Sequence, residues 1–451
     1  MPPFEKIQEY VSSVCEQVRW KKAHPVVSEE LENHLIDQRD AYMVEGTDVS
    51  TATEKAIVQM GDPVLVGTQL DRTHRPKSQW DMIVLTVVLV AVGLVIKIFT
   101  MGIGDFDKPV FAAAVGLILM AAAYFTDFTL IGKFPKLTYF FTLALSAATL
   151  IYSPMINGRR FYAGLIPPLL FPLGFAAVVY AARNIGYKGI ILCQAALFIM
   201  MFVNILTPTA TGLLLTAVSG WIILTAAIYK GWFKVKKFYG YLLTFIPPII
   251  FVLLVLTNMP HYYWLRLQIA LNPALDSTGA GYFSLMMRAL LDGSVIFGRG
   301  SMPVEYSMLT MSEMFFQTDY LLTYLIFRFG WIAFIMIIGL LLFFIVRGFM
   351  LSFKQKSVLG SLISVSVMLT FAMQVLSYVL FNLGLQFSAP ISLPLISYGD
   401  TAAVINLVLI GLMLSVFRIG DMVKDKAVTH SGDDSMIQWN DGKLIISFIR
   451  K

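Results

Sequence analysis

The charged residues of one long connection are the first candidates for chemistry in this sequence. Residues 79–418 contain ten acids, and five of them lie in the connection between residues 258 and 319. Those five are Asp276, Asp292, Glu305, Glu313 and Asp319. The same connection contains Arg266, Arg288 and Arg299 and no lysine. Charged groups beside apolar segments are costly and usually line a cavity or serve function, so this pattern indicates a polar site at a membrane boundary.

A carboxylate in such a site can accept a proton, and guanidinium groups can stabilise negative charge. Structural roles remain open for the same residue types. An Asp just before a helix, as Asp319, Asp400 and Asp81 are placed, is often a cap or a favourable charge at the positive end of the helix dipole. Arg328 could extend to the surface or pair with an acid, and NGRR at 157–160 could be a solvated turn. Spacing alone therefore names no substrate.

The composition is that of a polytopic membrane protein. Hydrophobic residues make up 57% of the 451 residues and charged residues 14%, whereas soluble domains have about 45–50% and about 25%. The two cysteines, Cys15 and Cys193, leave no disulfide framework and no Cys-based metal site, and the five histidines are scattered. The net charge of +6 does not imply a nucleic-acid partner, because basic residues near membrane helices usually set the orientation of the chain in the membrane.

Ten apolar segments have about the 20 residues needed to cross a bilayer. They are residues 82–101, 109–127, 136–153, 163–182, 189–206, 211–229, 238–257, 320–347, 357–380 and 399–417. Basic connections alternate with poorly basic ones, so the positive-inside rule predicts cytoplasmic termini and an external connection at 258–319, between spans 7 and 8. Arg159 and Arg160 in NGRRF are an exception on the outer side, and this exception is a hint of function.

The first 78 residues differ from the rest, since they hold 13 of the 28 acids and no long apolar run. Helical spacing places five apolar side chains on one face: Phe4, Ile7, Val11, Val14 and Val18. Ser50 or Thr51 can cap a helix that stops near Gly61. The predicted fold is therefore all-α. A soluble cytoplasmic helical domain (1–78) is followed by a ten-span membrane domain (79–418) and a cytoplasmic tail (419–451).

The stretch SLPLISYGDTAAVINLVLIGLMLSVFR, residues 392–418, resembles a motif of the SEDS family, the FtsW/RodA/SpoVE proteins. That motif is close to G-L-P-L-P-F-I-S-Y-G-G-S-S and is followed by a last helix that ends in Arg. The matching residues are Leu393, Pro394, Ile396, Ser397, Tyr398 and Gly399. Asp400 stands where the family has Gly. Gln374 falls on the Gln of the family's Q-x-x-x-N, and Tyr378 replaces its Asn.

The external connection resembles the same family in three further places. YWLRLQIALNPALDSTGAGY (263–282) is similar to R…NP..D..G.GY, and GSVIFGRG (293–300) is similar to G-S-G-G-x-F-G-K-G. SEMFFQTDYLLTYLIFRFG (312–330) is similar to L-P-E-x-x-T-D-F-I-F-x-x-x-x-E-E-x-G, with Phe327 and Arg328 where the family has two acids.

Elsewhere the likeness is partial. NGRRF (157–161) resembles the family's N-G-A-R-R-W, whereas its Q-P-S-E survives only as Pro172, and the lysine that follows is absent. ELENHLIDQRDAYMVEG and AIVQMGDPVLVGTQL are similar to the small cytoplasmic domain that precedes permease-like proteins of Gram-positive bacteria.

The resemblance implies a glycosyltransferase that polymerises lipid II at the outer face of the bacterial cytoplasmic membrane, with inversion at the anomeric carbon. It assigns the general base to Asp319 and implies a class B penicillin-binding protein as partner, in division, elongation or sporulation. The substrate-binding candidates are Arg159, Arg160, Arg266, Arg288, Arg299, Glu313, Thr318, Gln374, Ser397 and Tyr398. Glu313 is also a candidate ligand for a divalent cation, Mg or Mn, although the sequence shows no dedicated cage.

Two other functions are compatible with the residues. A flippase or transporter of a lipid-linked precursor would also use proline-broken spans and charges near the bilayer. A non-catalytic regulator would explain the missing Gln, Glu and Lys motifs. Retention of the Thr-Asp pair at 318–319 favours the polymerase.

Overall fold

The protein is described here from a computed structural model. The structure describes residues 3–73, 78–101, 107–156, 159–160, 162, 164–207, 209–258, 260–301, 319–397, 399–420, 437–440 and 443–446. The architecture is α-helical, which confirms the predicted all-α class. Within these residues the β-structure is limited to two antiparallel hairpins. One pairs β1 (Met155–Ile156) with β2 (Arg159–Arg160), and the other pairs β3 (Ile437–Asn440) with β4 (Lys443–Ile446).

Four helices form the N-terminal part: α1 (Pro3–Gln17), α2 (His24–Val44), α3 (Val49–Met60) and α4 (Pro63–Thr73). They surround a core of their own. The predicted face of α1 is largely confirmed, because Ile7, Val11 and Val14 are buried there and Val18 is buried just after the helix, whereas Phe4 is exposed. The four helices thus pack as one amphipathic unit.

The start of α3 differs from the prediction. Asp48 caps the helix, because its carboxylate accepts a hydrogen bond from the Thr51 backbone N–H at 3.1 Å. Ser50 and Thr51 lie inside the first turn instead. The helix ends at Met60 before Gly61, whose φ of 93° favours glycine. The predicted stop near Gly61 is therefore confirmed.

The remaining helices form the apolar bundle and the elements at its ends. They are α5 (Trp80–Met101), α6 (Asp107–Phe125), α7 (Thr129–Lys133), α8 (Pro135–Tyr152), α9 (Ile166–Ala182), α10 (Tyr187–Leu206), α11 (Ala210–Tyr229), α12 (Lys237–Thr257), α13 (His261–Leu271), α14 (Tyr282–Asp292), α15 (Leu321–Phe329), α16 (Trp331–Phe353), α17 (Val358–Asn382) and α18 (Asp400–Ile419). Two single turns of 3₁₀ helix lie at Lys21–Ala23 and Pro273–Asp276.

Eight helices in the described part of the chain are long and apolar enough to cross a membrane: α5, α6, α10, α11, α12, α16, α17 and α18. The predicted segments 136–153 and 163–182 correspond to α8 and to α9, a shorter apolar helix of 17 residues with Pro172 inside it. The chain is therefore a multi-pass membrane protein, and the count of ten spans stays a prediction.

The predicted span at 320–347 has different bounds in the structure. The helix is interrupted at Gly330, which separates the short helix α15 from the spanning helix α16. Gly330 has a φ of 91°, and an added Cβ would lie 2.4 Å from the carbonyl oxygen of Ile296. The break therefore requires glycine. Asp319 consequently precedes α15 rather than the spanning helix itself.

Helices α6 and α18 pack against each other through small residues, as is common between membrane helices. At Gly411 of α18, an added Cβ would lie 2.3 Å from the Met120 carbonyl oxygen. At Gly116 of α6, it would lie 2.5 Å from a Leu407 methyl group. The absence of side chains at these two positions lets the backbones approach.

We expect Gly411→Leu to destabilise the membrane domain by about 1–3 kcal/mol, because the new side chain overpacks the contact with α6. The measurement is thermal unfolding in detergent. Gly339→Leu on α16 is the matched control, since nothing lies within 4 Å of an added Cβ there. Equal melting temperatures for the two variants would contradict this account of the contact.

Several helix ends and connecting segments meet at one end of the bundle. The start of α11 is joined to the segment after α17, because the Thr211 and Ser388 hydroxyls lie 2.6 Å apart. The last turns of α5 contact the segment before α18, since an added Cβ at Gly93 would lie 2.2 Å from the Leu395 carbonyl oxygen. At the opposite end of the bundle, the Arg347 guanidinium binds the Asp81 carboxylate at 2.6 Å.

Candidate active site

Asn382, the last residue of α17, holds the backbone on both sides of α15's first turn. Its amide Nδ2 donates to the Asp319 carbonyl oxygen at 2.9 Å and to the Tyr378 carbonyl oxygen at 3.0 Å. Its side-chain oxygen accepts from the Thr323 backbone N–H at 3.0 Å, and its own carbonyl accepts from the Thr323 hydroxyl at 2.7 Å. Asn382 is fully buried, so this network fixes Asp319 against the end of α17.

Aromatic packing restrains the same turn. The Tyr320 ring stacks on Phe283 of α14 at 5.7 Å and on Phe381 of α17 at 5.1 Å between ring centroids. Burial raises the pKa of the Tyr320 phenol, and the negative charge of Asp319 acts in the same direction, while the Gln386 side chain hydrogen-bonds to that phenol. The residue next to Asp319 is therefore held between two helices.

Asp319 is not the N-cap residue of α15 in the structure. Tyr320 holds the N-cap position of α15, and its side chain makes no capping hydrogen bond. Asp319 lies one residue earlier and is partly exposed. The same shift applies to Asp400, which is the first residue of α18 after Gly399 at the cap.

Ser397 brings the segment before α18 to the same place. Its hydroxyl accepts from the Leu393 backbone N–H at 2.8 Å, and the side chain is buried. The hydroxyl of the fully buried Tyr378 hydrogen-bonds to the Ser397 side chain and to the Leu321 backbone. The Tyr378 carbonyl oxygen accepts from Asn382, which also donates to the Asp319 carbonyl oxygen. Ser397 is thus linked to Asp319 through Tyr378. Its predicted contact with substrate stays a prediction.

The three arginines of the connection occupy different positions. Arg288 of α14 is half-buried and donates to the Gly384 carbonyl oxygen at 3.1 Å, two residues beyond the end of α17. Arg266 of α13 is exposed and lies over the Tyr262 ring at 5.3 Å. Within the described part of the chain, Arg266, Arg288 and Arg299 pair with no carboxylate.

Arg299 lies at the far end of α15 from Asp319. Its neighbours Gly298 and Gly300 donate their backbone N–H groups to the carbonyl oxygens of Phe329 and Phe327, at 3.1 Å and 2.8 Å. The nine residues of α15 give a length of about 13 Å at 1.5 Å per residue. The Arg299 side chain is exposed, and Arg328 on the same part of α15 is exposed too.

Gln374 lies in a buried amide pair between α17 and α18. Its Nε2 donates to Asn406 Oδ1 at 3.2 Å, and Asn406 Nδ2 donates back to Gln374 Oε1 at 3.1 Å. Both side chains are fully buried. The contacts of Gln374 are those of a bridge between two membrane helices, and its predicted role in substrate binding stays a prediction.

Several candidates have no described side chain. Glu313, Thr318 and Tyr398 lie outside the described residues. The backbone of Arg159 and Arg160 forms β2, with Met155 opposite Arg160 and Ile156 opposite Arg159. Among the described residues, no group of three or more His, Cys, Asp or Glu could hold a metal ion, and the divalent cation stays a prediction.

Sequence reasoning missed two residues at this end of the bundle. Asn382 lies two helical turns after Gln374, and residues four apart share a helix face. The spacing Gln374, Tyr378, Asn382 could therefore have indicated it. Lys97 is a lone charge within the first apolar segment, and its Nζ lies 3.4 Å from Asp400 Oδ1. A count of acids alone overlooks such a lysine.

Comparison with known proteins identifies relatives over most of the chain. The profile of the FtsW/RodA/SpoVE family, described as cell cycle proteins, matches residues 77–420. The chain is 32% identical over 166 residues to a probable peptidoglycan glycosyltransferase FtsW of Enterococcus hirae, a match that covers 36% of this chain and 41% of that protein. A probable peptidoglycan glycosyltransferase FtsW of Trichlorobacter lovleyi is 24% identical over 151 residues, which cover 34% of this chain and 39% of that protein.

The matches to FtsW relatives thus span about two fifths of their length. A longer match joins 370 residues, 75% of this chain, to 95% of the peptidoglycan glycosyltransferase MrdB of Escherichia coli strain K12, at 21% identity.

Solved structures share the fold. One chain of a peptidoglycan synthase complex, studied for the coordination of polymerization and crosslinking, superposes with a TM-score of 0.60 at 20% identity, covering 76% of this chain and 98% of that one. The rod shape determining protein RodA of Thermus thermophilus superposes with a TM-score of 0.51 at 18% identity, covering 76% and 97%. At these identities the likeness shows the fold alone.

Proposed function

Because the chain belongs to the FtsW/RodA/SpoVE family of cell cycle proteins, we propose that it is a glycosyltransferase that polymerises lipid II into peptidoglycan glycan strands. Relatives that match between one third and three quarters of the chain carry the name peptidoglycan glycosyltransferase. The position of Asp319 is the observation that carries the proposal. Asn382 at the end of α17 holds the backbone of Asp319. The next residue, Tyr320, has its ring stacked between two aromatic side chains.

The proposed reaction joins a sugar hydroxyl to an anomeric carbon whose leaving group is a lipid pyrophosphate. The hydroxyl is a weak nucleophile, and Asp319 takes its proton as the new C–O bond forms and the bond to pyrophosphate breaks. A single displacement inverts the anomeric carbon. The pyrophosphate leaves as an anion and needs no acid, so one carboxylate is sufficient for the proton transfer.

The arginines supply the positive charge that the leaving group requires. Arg266, Arg288 and Arg299 pair with no carboxylate in the described part of the chain, and the connection that contains them has no lysine. A planar guanidinium binds phosphate oxygens in a bidentate manner. We assign pyrophosphate or sugar binding to these three residues, and to Arg159 and Arg160 of β2. A divalent cation bound to the pyrophosphate would supply further positive charge.

Incubation of the purified full chain with lipid II tests the proposal. We expect glycan polymer on a gel, with or without a class B penicillin-binding protein as partner. The specific alternative is transport, which the prolines inside α9 and α12 favour, namely Pro172, Pro247 and Pro248. Movement of labelled lipid II across a vesicle bilayer without any polymer would support the transporter. The absence of both activities would leave the regulator.

Orientation is a second part of the proposal. The Lys/Arg asymmetry predicts that residues 1–78 and 419–451 are cytoplasmic and that the connection at 258–319 is external. Single cysteines at Ser277 and Ser435, in a background that lacks Cys15 and Cys193, are expected to react with an impermeant maleimide from opposite sides of the membrane. Labelling of both positions from one side would reject the ten-span topology.

A further inference from the structure

An ion pair links the first membrane helix to the last. Lys97 Nζ of α5 lies 3.4 Å from Asp400 Oδ1 of α18, with 5% of the Lys97 side chain exposed and 39% of the Asp400 side chain. Both charges suit their helices, because a cation near a C-terminus and an anion in a first turn are favourable. A buried charge in a membrane helix is costly and is retained where it has a partner or a function.

The segment before α18 is held by α5 at two points. Gly93 lies one turn before Lys97 and contacts the Leu395 carbonyl, where an added Cβ would come within 2.2 Å of the oxygen. Lys97 then binds Asp400 at the end of the segment. Residues 391–397 and 399 form no regular helix and no strand. The segment is therefore held by contacts such as these two rather than by the hydrogen bonds of a helix or a sheet.

The same segment contains backbone strain. Leu395 has a φ of 63°, a left-handed conformation that costs a non-glycine residue about 1–3 kcal/mol and persists only where the surroundings enforce it. Gly399, just before Asp400, has a φ of 139°. A strained segment of this kind requires anchors, and the ion pair is the anchor nearest its end.

The anchored segment reaches the proposed base. Ser397 lies three residues before Asp400, and its side chain hydrogen-bonds to the Tyr378 hydroxyl. The backbone of Tyr378 is joined to that of Asp319 through Asn382, whose Nδ2 donates to the carbonyl oxygens of both residues. Loss of the Lys97 charge would release Asp400, loosen the segment and move Ser397 away from Tyr378.

We propose that Lys97 and Asp400 are positioning residues for the Asp319 site, acting through the segment before α18, of which residues 391–397 and 399 are described. The proposal rests on the proposed glycosyltransferase function. It adds a residue of the first membrane helix to the support of the site. Small displacements of this kind can cost a reaction up to about 10²-fold.

Steady-state polymerisation by the purified full chain gives the first test. We expect Lys97→Met to lower kcat by at least about tenfold while KM for lipid II stays within about twofold, because orientation rather than binding is lost. Asp400→Asn is expected to match it, and the double variant is expected to be no worse than either, since the two residues act as one unit. Lys97→Arg is expected to recover most of the rate.

The Asp81 and Arg347 ion pair is the matched control. It lies at the other end of α5, with N···O at 2.6 Å and side chains 45% and 32% exposed. Asp81→Asn and Arg347→Met are expected to leave kcat unchanged. An equal loss of kcat in the control and in Lys97→Met would show a general effect on bundle stability and overturn the proposal.

A thiol probe reports on the segment without any assay of activity. The Ser392 hydroxyl is buried, so Ser392→Cys in a background without Cys15 and Cys193 is expected to react slowly with maleimide. Addition of Lys97→Met is expected to speed the labelling at least about fivefold, because the segment opens more often. Equal labelling rates with and without Lys97→Met would overturn the proposal.

The two readouts separate this inference from the function on which it rests. If the wild-type chain forms no polymer and yet Lys97→Met speeds the labelling of Cys at position 392, the glycosyltransferase function fails and the anchoring of the segment is supported. If the wild-type chain polymerises and Lys97→Met changes neither rate, the positioning role fails and the function stands.

Discussion

Replacement of Asp319 by Asn is expected to lower lipid II polymerisation by about 10²–10⁴-fold, the usual contribution of a positioned general base. Asn has the same shape but cannot accept the hydroxyl proton. The backbone contact to Asn382 uses the Asp319 carbonyl oxygen, so the substitution leaves that hydrogen bond in place. The fold is therefore expected to remain intact, with an unchanged melting temperature in detergent.

A matched variant and a binding measurement complete this experiment. Asp292→Asn changes an exposed carboxylate at the end of α14 and is expected to polymerise at the wild-type rate. Lipid II binding to Asp319→Asn is expected to remain, which separates a lost base from a lost binding site. If Asp319→Asn binds, folds and polymerises normally, Asp319 is not the base, and Glu313 and Asp276 become the candidates.

The second large effect is expected at Asn382. Asn382→Ala removes the hydrogen-bond partner of two backbone groups. They are the N–H of Thr323, which is buried, and the carbonyl oxygen of Asp319. An unsatisfied buried polar group costs about 1–3 kcal/mol, so thermal stability is expected to fall. Polymerisation per folded molecule is expected to fall by up to about 10²-fold, because the turn that carries Asp319 loses its clamp.

A buried amide between α10 and α11 provides the control for Asn382. Asn204 of α10 donates from Nδ2 to the Met200 carbonyl oxygen at 3.0 Å and to the Thr216 hydroxyl at 3.1 Å. Asn204→Ala is expected to lower the melting temperature to a similar extent and to leave the rate per folded molecule unchanged. A wild-type rate in folded Asn382→Ala would remove Asn382 from the support of Asp319, whatever its effect on stability.

Features that depend on neighbouring residues could be predicted from the sequence. The apolar segments, the buried face of α1 and the end of α3 near Gly61 follow from spacing and local chemistry. The family could be named from ordered motifs, and the profile match at 77–420 confirms it. Among these local features, the cap of α3 is the exception: the sequence predicts Ser50 or Thr51, whereas the structure has Asp48, because neighbouring polar residues offer equivalent caps.

Features that depend on partners far away in the chain were decided by tertiary structure. The break at Gly330 separates α15 from α16 because the segment at 295–300 packs against it, with the Val295 carbonyl accepting from the Trp331 N–H at 3.0 Å. Apolar residues continue across Gly330, so periodicity could not show the break.

The partners of the polar side chains were set in the same way. Asn382 hydrogen-bonds to Thr323, which is 59 residues away in the sequence. Lys97 pairs with Asp400, which is 303 residues away. Composition predicts that a charge or an amide within a membrane bundle needs a partner. The packing of the helices alone determines which partner it has, because contacts between helices depend on how the whole chain is brought together rather than on local spacing.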